Sequence, residues 1–254
     1  MRVIPVLDLQ AGQAVLARGG ARETYAPAPS VLAPGPEAAD AVTLARAFRN
    51  RLGCDECYVA DLDAIAGAPP QAELVRSLIP VGVRVLLDNG AADAARARQA
   101  VADGVHRVVV GLETLPAFEA LGAIAAAIGR RRLVFSLDLR GGEPILAAGA
   151  PHRAAPLELA RAAVAAGAPA LLMLDLARVG SGFGPDLALV AELRRAHPTL
   201  ELLVGGGVGS RRDLERLADA GCDGALVATA LHDGRVDRHD LDLVRRRHHA
   251  SDSR

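Results

Sequence analysis

The sequence predicts an α/β fold, a single (β/α)8 barrel over residues 1–254 with an internal half-barrel duplication. Three observations predict it. Short apolar runs rich in β-formers alternate with Ala-, Leu- and Arg-rich helical stretches, which is the pattern of a parallel sheet covered by helices. About eight such units occur, which suits a closed barrel better than the open doubly wound sheet that stands as the alternative fold. The chain also repeats itself, in halves of roughly 1–130 and 131–254.

In order, the expected strands are Arg2–Asp8, Glu56–Asp61, Arg84–Leu87, Arg107–Val110, Arg132–Asp138, Ala170–Asp175, Glu201–Val204 and Gly224–Val227. Between and after them run helices near Ala39–Leu52, Gln71–Leu78, Ala92–Asp103, Pro116–Ile128, Pro156–Ala166, Pro185–His197, Arg211–Ala220 and Arg238–Arg247. Three connections are long or glycine-rich enough to be lids or binding loops: Leu9–Glu37 with its Pro/Gly-rich Ala26–Pro36, Gly141–His152 as a small hairpin, and Val179–Pro185.

The repeat is seen by placing LLDNGAADAARARQAVADGVHRVVVGLETL over LLVGGGVGSRRDLERLADAGCDGALVATAL. Gly90 to Gly104 spans 14 residues, as does Gly207 to Gly221, and Gly90 to Gly111 spans 21, as does Gly207 to Ala228. Upstream, Asp61 pairs with Asp175 and Asp8 with Asp138. Equal spacing without a gap across two strands points to a half-barrel written twice.

The composition excludes several functions. The net charge of −1 gives no footprint for a nucleic acid, and aromatics at 2% with no Trp supply no stacking platform for bases. The basic run Arg245–His249 reads as a solvated helix end. No apolar run is long enough to cross a bilayer, and Met1-Arg2 leads straight into strand-like residues, so no membrane association and a cytoplasmic location are expected. The cysteines are three, Cys54, Cys57 and Cys222. Cys54-x-x-Cys57 is half a zinc site without a second pair, so neither metal nor redox function is expected. All 29 basic Lys+Arg residues are Arg. Without a lysine amine, chemistry through a lysine-linked Schiff base is ruled out.

Two constellations carry chemistry. In the first, Gly205–Gly207 follow an apolar run and precede a helix that Ser210 can cap, and the next strand ends at Ala228-Thr229, where a short helix begins. Helix N-termini and glycine amides converging after strands 7 and 8 form the place where barrels bind phosphate, so Gly206, Gly207, Ser210, Ala228 and Thr229 are the expected phosphate site. The twin positions Asn89, Gly90 and Gly111 are expected to hold the substrate's other end. In the second constellation four strands end in aspartate: Asp8, Asp61, Asp138 and Asp175. Asp8 and Asp138, on opposite strands 1 and 5, are read as base and partner acid across one cavity. Asp175 is read as a supporting acid. The competing reading for Asp61 and Asp175 is that they cap loops or hold Arg178.

The motifs IPVLDL, SLDLRGG, LDLARVGSGFGPDLALV, VGGGVGSRRDL and ALVATAL together resemble the HisA/HisF family of histidine biosynthesis over nearly the whole chain. The resemblance implies a half-barrel duplication and a substrate with two phosphates. In the family's isomerase an Asp on strand 1 acts as base in an Amadori rearrangement of an aminoaldose to an aminoketose; Asp8 matches it and Asp138 matches the supporting strand 5 Asp. The general acid of that isomerase lies in a motif like T-D-x-x-R-D-G-T. Here the segment is Leu174-Asp175-Leu176-Ala177-Arg178-Val179-Gly180-Ser181, with Val179 at the acidic position. The lysine that the cyclase member needs is absent. The first-half phosphate motif is Asp88-Asn89-Gly90, and Glu113 follows Gly111, so the chain resembles a divergent member. The run PVLDLQAGQAVLARGG with ETYAPAPSVL resembles the HisA/HisF-related group of organisms with methanopterin-type one-carbon metabolism.

The resulting expectation is an enzyme of isomerase or lyase type, without cofactor, acting by acid–base chemistry on a small phosphorylated, sugar-phosphate-like metabolite. The alternatives are the family's own histidine-biosynthesis isomerase and a non-catalytic phosphate-ligand binding module. A flavin barrel would share the strand 7–8 phosphate site. The acidic twin site further suggests a substrate with one phosphate, whose other end is neutral or cationic.

Overall fold

The computed structural model describes residues 1–251 except 18, 22, 23, 28, 29, 34, 36–38 and 148–153, and only the backbone of 247–251. Eight parallel strands form the barrel: β1 (Arg2–Gln10), β2 (Glu56–Asp61), β3 (Arg84–Asp88), β4 (Arg107–Gly111), β5 (Leu133–Arg140), β6 (Ala170–Asp175), β7 (Glu201–Gly205) and β8 (Gly224–Val227). Each pairs with its successor, and β8 returns to β1 with Arg2 opposite Gly224 and Pro5 opposite Val227. That last ladder closes the barrel and removes the open-sheet alternative.

Around it lie α1 (Ala41–Asn50), α2 (Ala72–Leu78), α3 (Ala94–Ala102), α4 (Glu119–Ile128), α5 (Pro156–Ala165), α6 (Leu187–Ala196), α7 (Arg211–Asp219) and α8 (Arg238–Ser251). Where helices start later than expected, a side-chain cap decides. Asp40 accepts from the Thr43 N–H, Asp93 from Ala95 and Arg96, and Asp186 from Leu189, so α1, α3 and α6 begin just after an aspartate. Ser210 caps α7 as its sequence suggests.

The strands are apolar on both faces because both are covered. Outward residues such as Leu7, Val59, Leu87 and Met173 pack against the helices in one large core. Inward residues fill the barrel, with Ile4, Tyr58, Leu86, Val109, Val134, Leu172, Leu203 and Leu226 in a second cluster. At the N-terminal end of the strands Glu56 and Glu201 both pair with Arg2, and Arg107 reaches Glu201 at 2.8 Å. Among the described residues no helix is long and apolar enough to cross a membrane.

Each half carries the same return after its first strand. Gln13–Val15 folds back antiparallel on β1, and Glu143–Pro144 does so on β5. The second is the start of the hairpin expected in Gly141–His152, whose far end lies outside the described residues, as does most of Pro34–Glu37 in the first long connection. The described parts of that connection are anchored across the barrel mouth: the Gly19 N–H donates to the Val179 carbonyl at 2.9 Å, and the Val31 N–H to the His232 carbonyl at 2.9 Å.

Candidate active site

Strand parity decides which strand-end aspartates face the cavity. Ile4, Val6 and Asp8 share the inward face of β1, and Val134, Ser136 and Asp138 share that of β5. Leu86 and Asp88 do the same on β3. Asp8, Asp88 and Asp138 therefore form part of the uppermost layer of the barrel interior, and all three line one cavity with Glu113 and Tyr58. The two residues read as base and partner acid thus line one cavity, with Asp88 at the end of β3 and Glu113 just after β4 on the wall between them.

Asp138 is 2% exposed. Its Oδ1 accepts the Ser136 hydroxyl at 2.6 Å and its Oδ2 the Glu113 backbone N–H at 3.2 Å. Burial, then the charge of Asp88, push its carboxyl up to about 8 against the pull of those two hydrogen bonds. Asp138 consequently keeps its proton at neutral pH. The Tyr58 hydroxyl is held well above its ordinary value by burial and by Asp88, Asp138 and Asp8, so it too is a proton donor rather than a phenolate. Tyr58 was not singled out from sequence; its place on the inward face of β2 was the available signal.

The opposite wall of the cavity is made by Gly206, Gly207, Gly209, Ala228 and Thr229, joined by Arg235. Four of the five residues expected at a phosphate site are therefore present. Ser210 is outside the lining; its hydroxyl donates to the Asp213 carboxylate at 2.8 Å, which also takes the Gly209 N–H at 3.1 Å. Arg235, which the sequence reading missed, brings a guanidinium to this wall, where it is ion-paired with Asp233 at 2.8 Å. The glycines have a structural reason besides room for a ligand. A Cβ on Gly206 would lie 2.4 Å from the Asp175 carbonyl oxygen, and one on Gly207 2.5 Å from that of Gly184, with φ of +95° and +84°. The β6 loop packs directly on this turn.

The twin wall is different. Gly90, Asn89 and Gly111 sit at the matching strand ends but behind the cavity surface, which is presented there by Asp88 and Glu113. A Cβ on Gly111 would lie 2.8 Å from Asp138 Oδ2 and 3.4 Å from Asp88 Oδ2. That glycine makes room for the two carboxylates.

Asp175 points the other way. Met173 belongs to the outer core, and two residues on, Asp175 is on that same outward face, outside the cavity lining. Its carboxylate accepts the N–H groups of Gly141 (2.9 Å), Gly142 (3.1 Å) and Ala177 (3.0 Å) and forms an ion pair with Arg178 Nε at 3.3 Å. Asp61, its twin, likewise caps the turn after β2 through the Ala64 N–H and takes the Gln71 N–H at 2.7 Å. Both are loop anchors by geometry. Val179, at the position of the acid in the resembled motif, does line the cavity and brings no ionisable group there. Cys54 and Cys57 are buried at the opposite end of the barrel, with burial pushing the Cys54 thiol up to about 11. Among the described residues no group of His, Cys, Asp and Glu is arranged to hold a metal ion.

Comparison with known proteins bears on the whole barrel. A family model described as "Histidine biosynthesis protein" matches residues 2–237. A protein of Thermus thermophilus named 1-(5-phosphoribosyl)-5-((5-phosphoribosylamino)methylideneamino) imidazole-4-carboxamide isomerase is 34% identical over 240 residues, covering 93% of this chain and 96% of its own. A protein of the same name from Deinococcus radiodurans is 35% identical over 242 residues, 92% and 94% of the two chains. An uncharacterised protein of Methanocaldococcus jannaschii is 27% identical over 243 residues, 95% and 97% of the two chains.

Proposed function

The chain belongs to the histidine biosynthesis protein family, and from that premise we propose that it is an isomerase working by acid–base chemistry on a small phosphorylated metabolite of the aminosugar type. The observation that carries the reading is the placement of Asp8 and Asp138 on opposite strands of one cavity whose other wall is the glycine turn with Arg235. In such a reaction an acid protonates the ring oxygen of a glycosylamine and opens it to an imine. A base then takes the proton from C2, giving an enaminol, and return of a proton to C1 with loss of the C2 hydroxyl proton gives the aminoketone. Asp8 is the base. Asp138, protonated at neutral pH, is the acid. Gly206, Gly207, Ala228, Thr229 and Arg235 hold the phosphate, with Ser210 acting on the site by fixing the start of α7. Asp175 supports the site by fixing the β5 and β6 loops.

A second reading is favoured by the relatives. Those at 34% and 35% identity are named isomerases of the bis-phosphoribosyl imidazole-carboxamide, and this chain would then catalyse that rearrangement. Val179 and the acidic wall at Asp88 and Glu113 favour a different substrate. Purified protein incubated with that ribotide separates the two, with growth rescue of a cell lacking the isomerase as the companion assay. The first reading expects negligible conversion and no rescue. Turnover at an ordinary enzymatic rate, about 1 per second or more, decides for the second. A non-catalytic module would bind phosphorylated metabolites and convert none.

A further inference from the structure

Resting on the isomerase reading of the cavity given above, we propose that the Tyr58 hydroxyl is a hydrogen-bond donor to the substrate, aimed at the oxygen on the carbon from which Asp8 takes its proton.

Tyr58 stands at an apolar level of the barrel. It is opposite Val6 on β1 and Leu86 on β3, and it belongs to the inner cluster with Val109, Val134 and Leu226. A phenylalanine would fill that place equally well. The next inward residue of β2 is Ala60, which is paired with Asp8 on one side and Asp88 on the other. So small a side chain between two carboxylates leaves room above the ring, and Tyr58 lines the cavity together with Asp8, Asp88, Glu113 and Asp138. Tyr58 is only 4% exposed, yet its hydroxyl forms no hydrogen bond among the described residues. Buried hydroxyls seldom lack a partner, and the space open to this one is the cavity.

Its neighbours define the missing acceptor. Burial and the surrounding carboxylates keep the phenol's proton in place. Asp8 as base accepts from the substrate, and Asp138 as acid serves the ring oxygen. Among the upper inward residues of β1, β2 and β3, which are Val6, Asp8, Tyr58, Ala60, Leu86 and Asp88, the phenol is the neutral donor when Asp8 is ionised. A substrate carbon held at Asp8 brings its own oxygen within reach of β2, the strand paired with β1. In the reaction given above, that C2 oxygen is a hydroxyl in the imine and the enaminol and a carbonyl in the aminoketone. It can therefore accept from Tyr58 throughout. Tyr58 transfers no proton. Its hydrogen bond turns C2 toward Asp8 and offsets the charge on oxygen as the hydroxyl proton leaves.

A cycle that deletes each partner in turn tests this on the full-length protein. Calorimetric titration of the native protein and Tyr58→Phe uses inorganic phosphate, ribose 5-phosphate with 2-deoxyribose 5-phosphate, and glucose 6-phosphate with 2-deoxyglucose 6-phosphate. In the native protein at least one sugar phosphate should bind about fivefold or more tighter than its 2-deoxy partner. In Tyr58→Phe that gap should close to about twofold or less, with the affinity for inorganic phosphate kept. A phenol that only packs would leave the gap unchanged. If Tyr58→Phe does not fold, Tyr25→Phe supplies a second measurement. The chain has two tyrosines and no Trp, so Tyr58 then dominates the near-ultraviolet absorption, which shifts to the red when a phenol gains an acceptor. The shift should appear with the oxygen-bearing sugar phosphate and not with its 2-deoxy partner. A gap that survives in Tyr58→Phe, no gap in either pair in the native protein, or an absorption indifferent to the C2 oxygen overturns the inference and leaves the isomerase reading standing. Absence of binding by every probe, inorganic phosphate included, overturns the phosphate anchor and that reading together with it.

Discussion

Ser136 donates its hydroxyl hydrogen to Asp138 at 2.6 Å, and both residues stand on the inward face of β5 with almost no exposure to solvent. The bond restrains a carboxyl that burial and Asp88 drive upward. Ser136→Ala removes a hydrogen bond to the charged form, so Asp138 should hold its proton to still higher pH. If Asp138 is the acid, kcat/KM falls as pH rises through about 8, and the alkaline limb in Ser136→Ala moves upward. A pH–rate profile of the two proteins checks this; coincident alkaline limbs would remove Asp138 from the acid role.

The same carboxyl makes stability depend on pH. Its folded-state value lies above that of the unfolded chain, so the folded protein holds a proton that the unfolded one releases. The protonated form favours folding fully below about 4, and that contribution is lost as pH rises towards about 8. Asp138→Asn keeps the shape and removes the titration. The variant should gain on the order of 1–4 kcal/mol over the native protein at pH 9 and little at pH 4. Urea unfolding at the two pH values measures it, and a variant equally destabilised at both would contradict the assignment.

Asp8→Asn should retain phosphate-ligand affinity and lose turnover by about 10²–10⁴-fold, the usual worth of a positioned acid–base group. Its cavity position on β1 makes the side chain available to a ligand held by the β7 and β8 wall. Turnover within a factor of a few of the native rate would discard Asp8 as base.

Much of this was legible in the sequence because the barrel's rules are local. Strands buried on both faces read as unbroken apolar runs, and helix starts fall beside capping aspartates, so the expected spans differ from the observed ones mainly at their ends. β1 and β5 run past Asp8 and Asp138 to Gln10 and Arg140 because the chain turns back and pairs with them. The cavity was legible in part. Strand-end position alone groups Asp175 with Asp8 and Asp138, whereas parity along β6 separates it, and uniform hydrophobicity hides that parity. Arg235 was invisible for another reason. It lies beyond the short helix after β8, and only the folded turn brings it to the glycine wall.

Gly207 illustrates how one residue serves both packing and site. A side chain there has to displace the Gly184 carbonyl, 2.5 Å from the ideal Cβ, in a backbone conformation that L-residues rarely adopt. Gly207→Val should therefore lower stability by roughly 1–3 kcal/mol and push the β6 loop outward, weakening phosphate binding at the same time. At Gly90 the nearest atom is the Ala64 carbonyl oxygen at 3.1 Å, so Gly90→Val should disturb phosphate binding less. Thermal unfolding with and without phosphate gives both numbers. Stronger loss of phosphate binding in Gly90→Val than in Gly207→Val would move the anchor to the other half.

Asp175 offers the clearest separation of an anchoring role from a catalytic one. Its carboxylate gathers N–H groups from the β5 loop and from its own, plus the Arg178 guanidinium, and is 1% exposed. Asp175→Ala leaves those donors and the cation without their partner, at a cost of about 3–5 kcal/mol. Gly141, Gly142 and Arg178 would lose their common tie, and the loops that close the cavity would spread. The expected signature is a large fall in melting temperature with KM raised more than kcat is lowered. Asp175→Asn, which keeps an acceptor oxygen for part of the network, should recover much of both. A catalytic acid would behave differently: kcat would collapse in Asp175→Asn as well as in Asp175→Ala, while the asparagine variant melted close to the native protein. Unfolding curves and steady-state kinetics on the pair of variants distinguish the two outcomes, and the second would restore Asp175 to the chemistry in spite of its outward face.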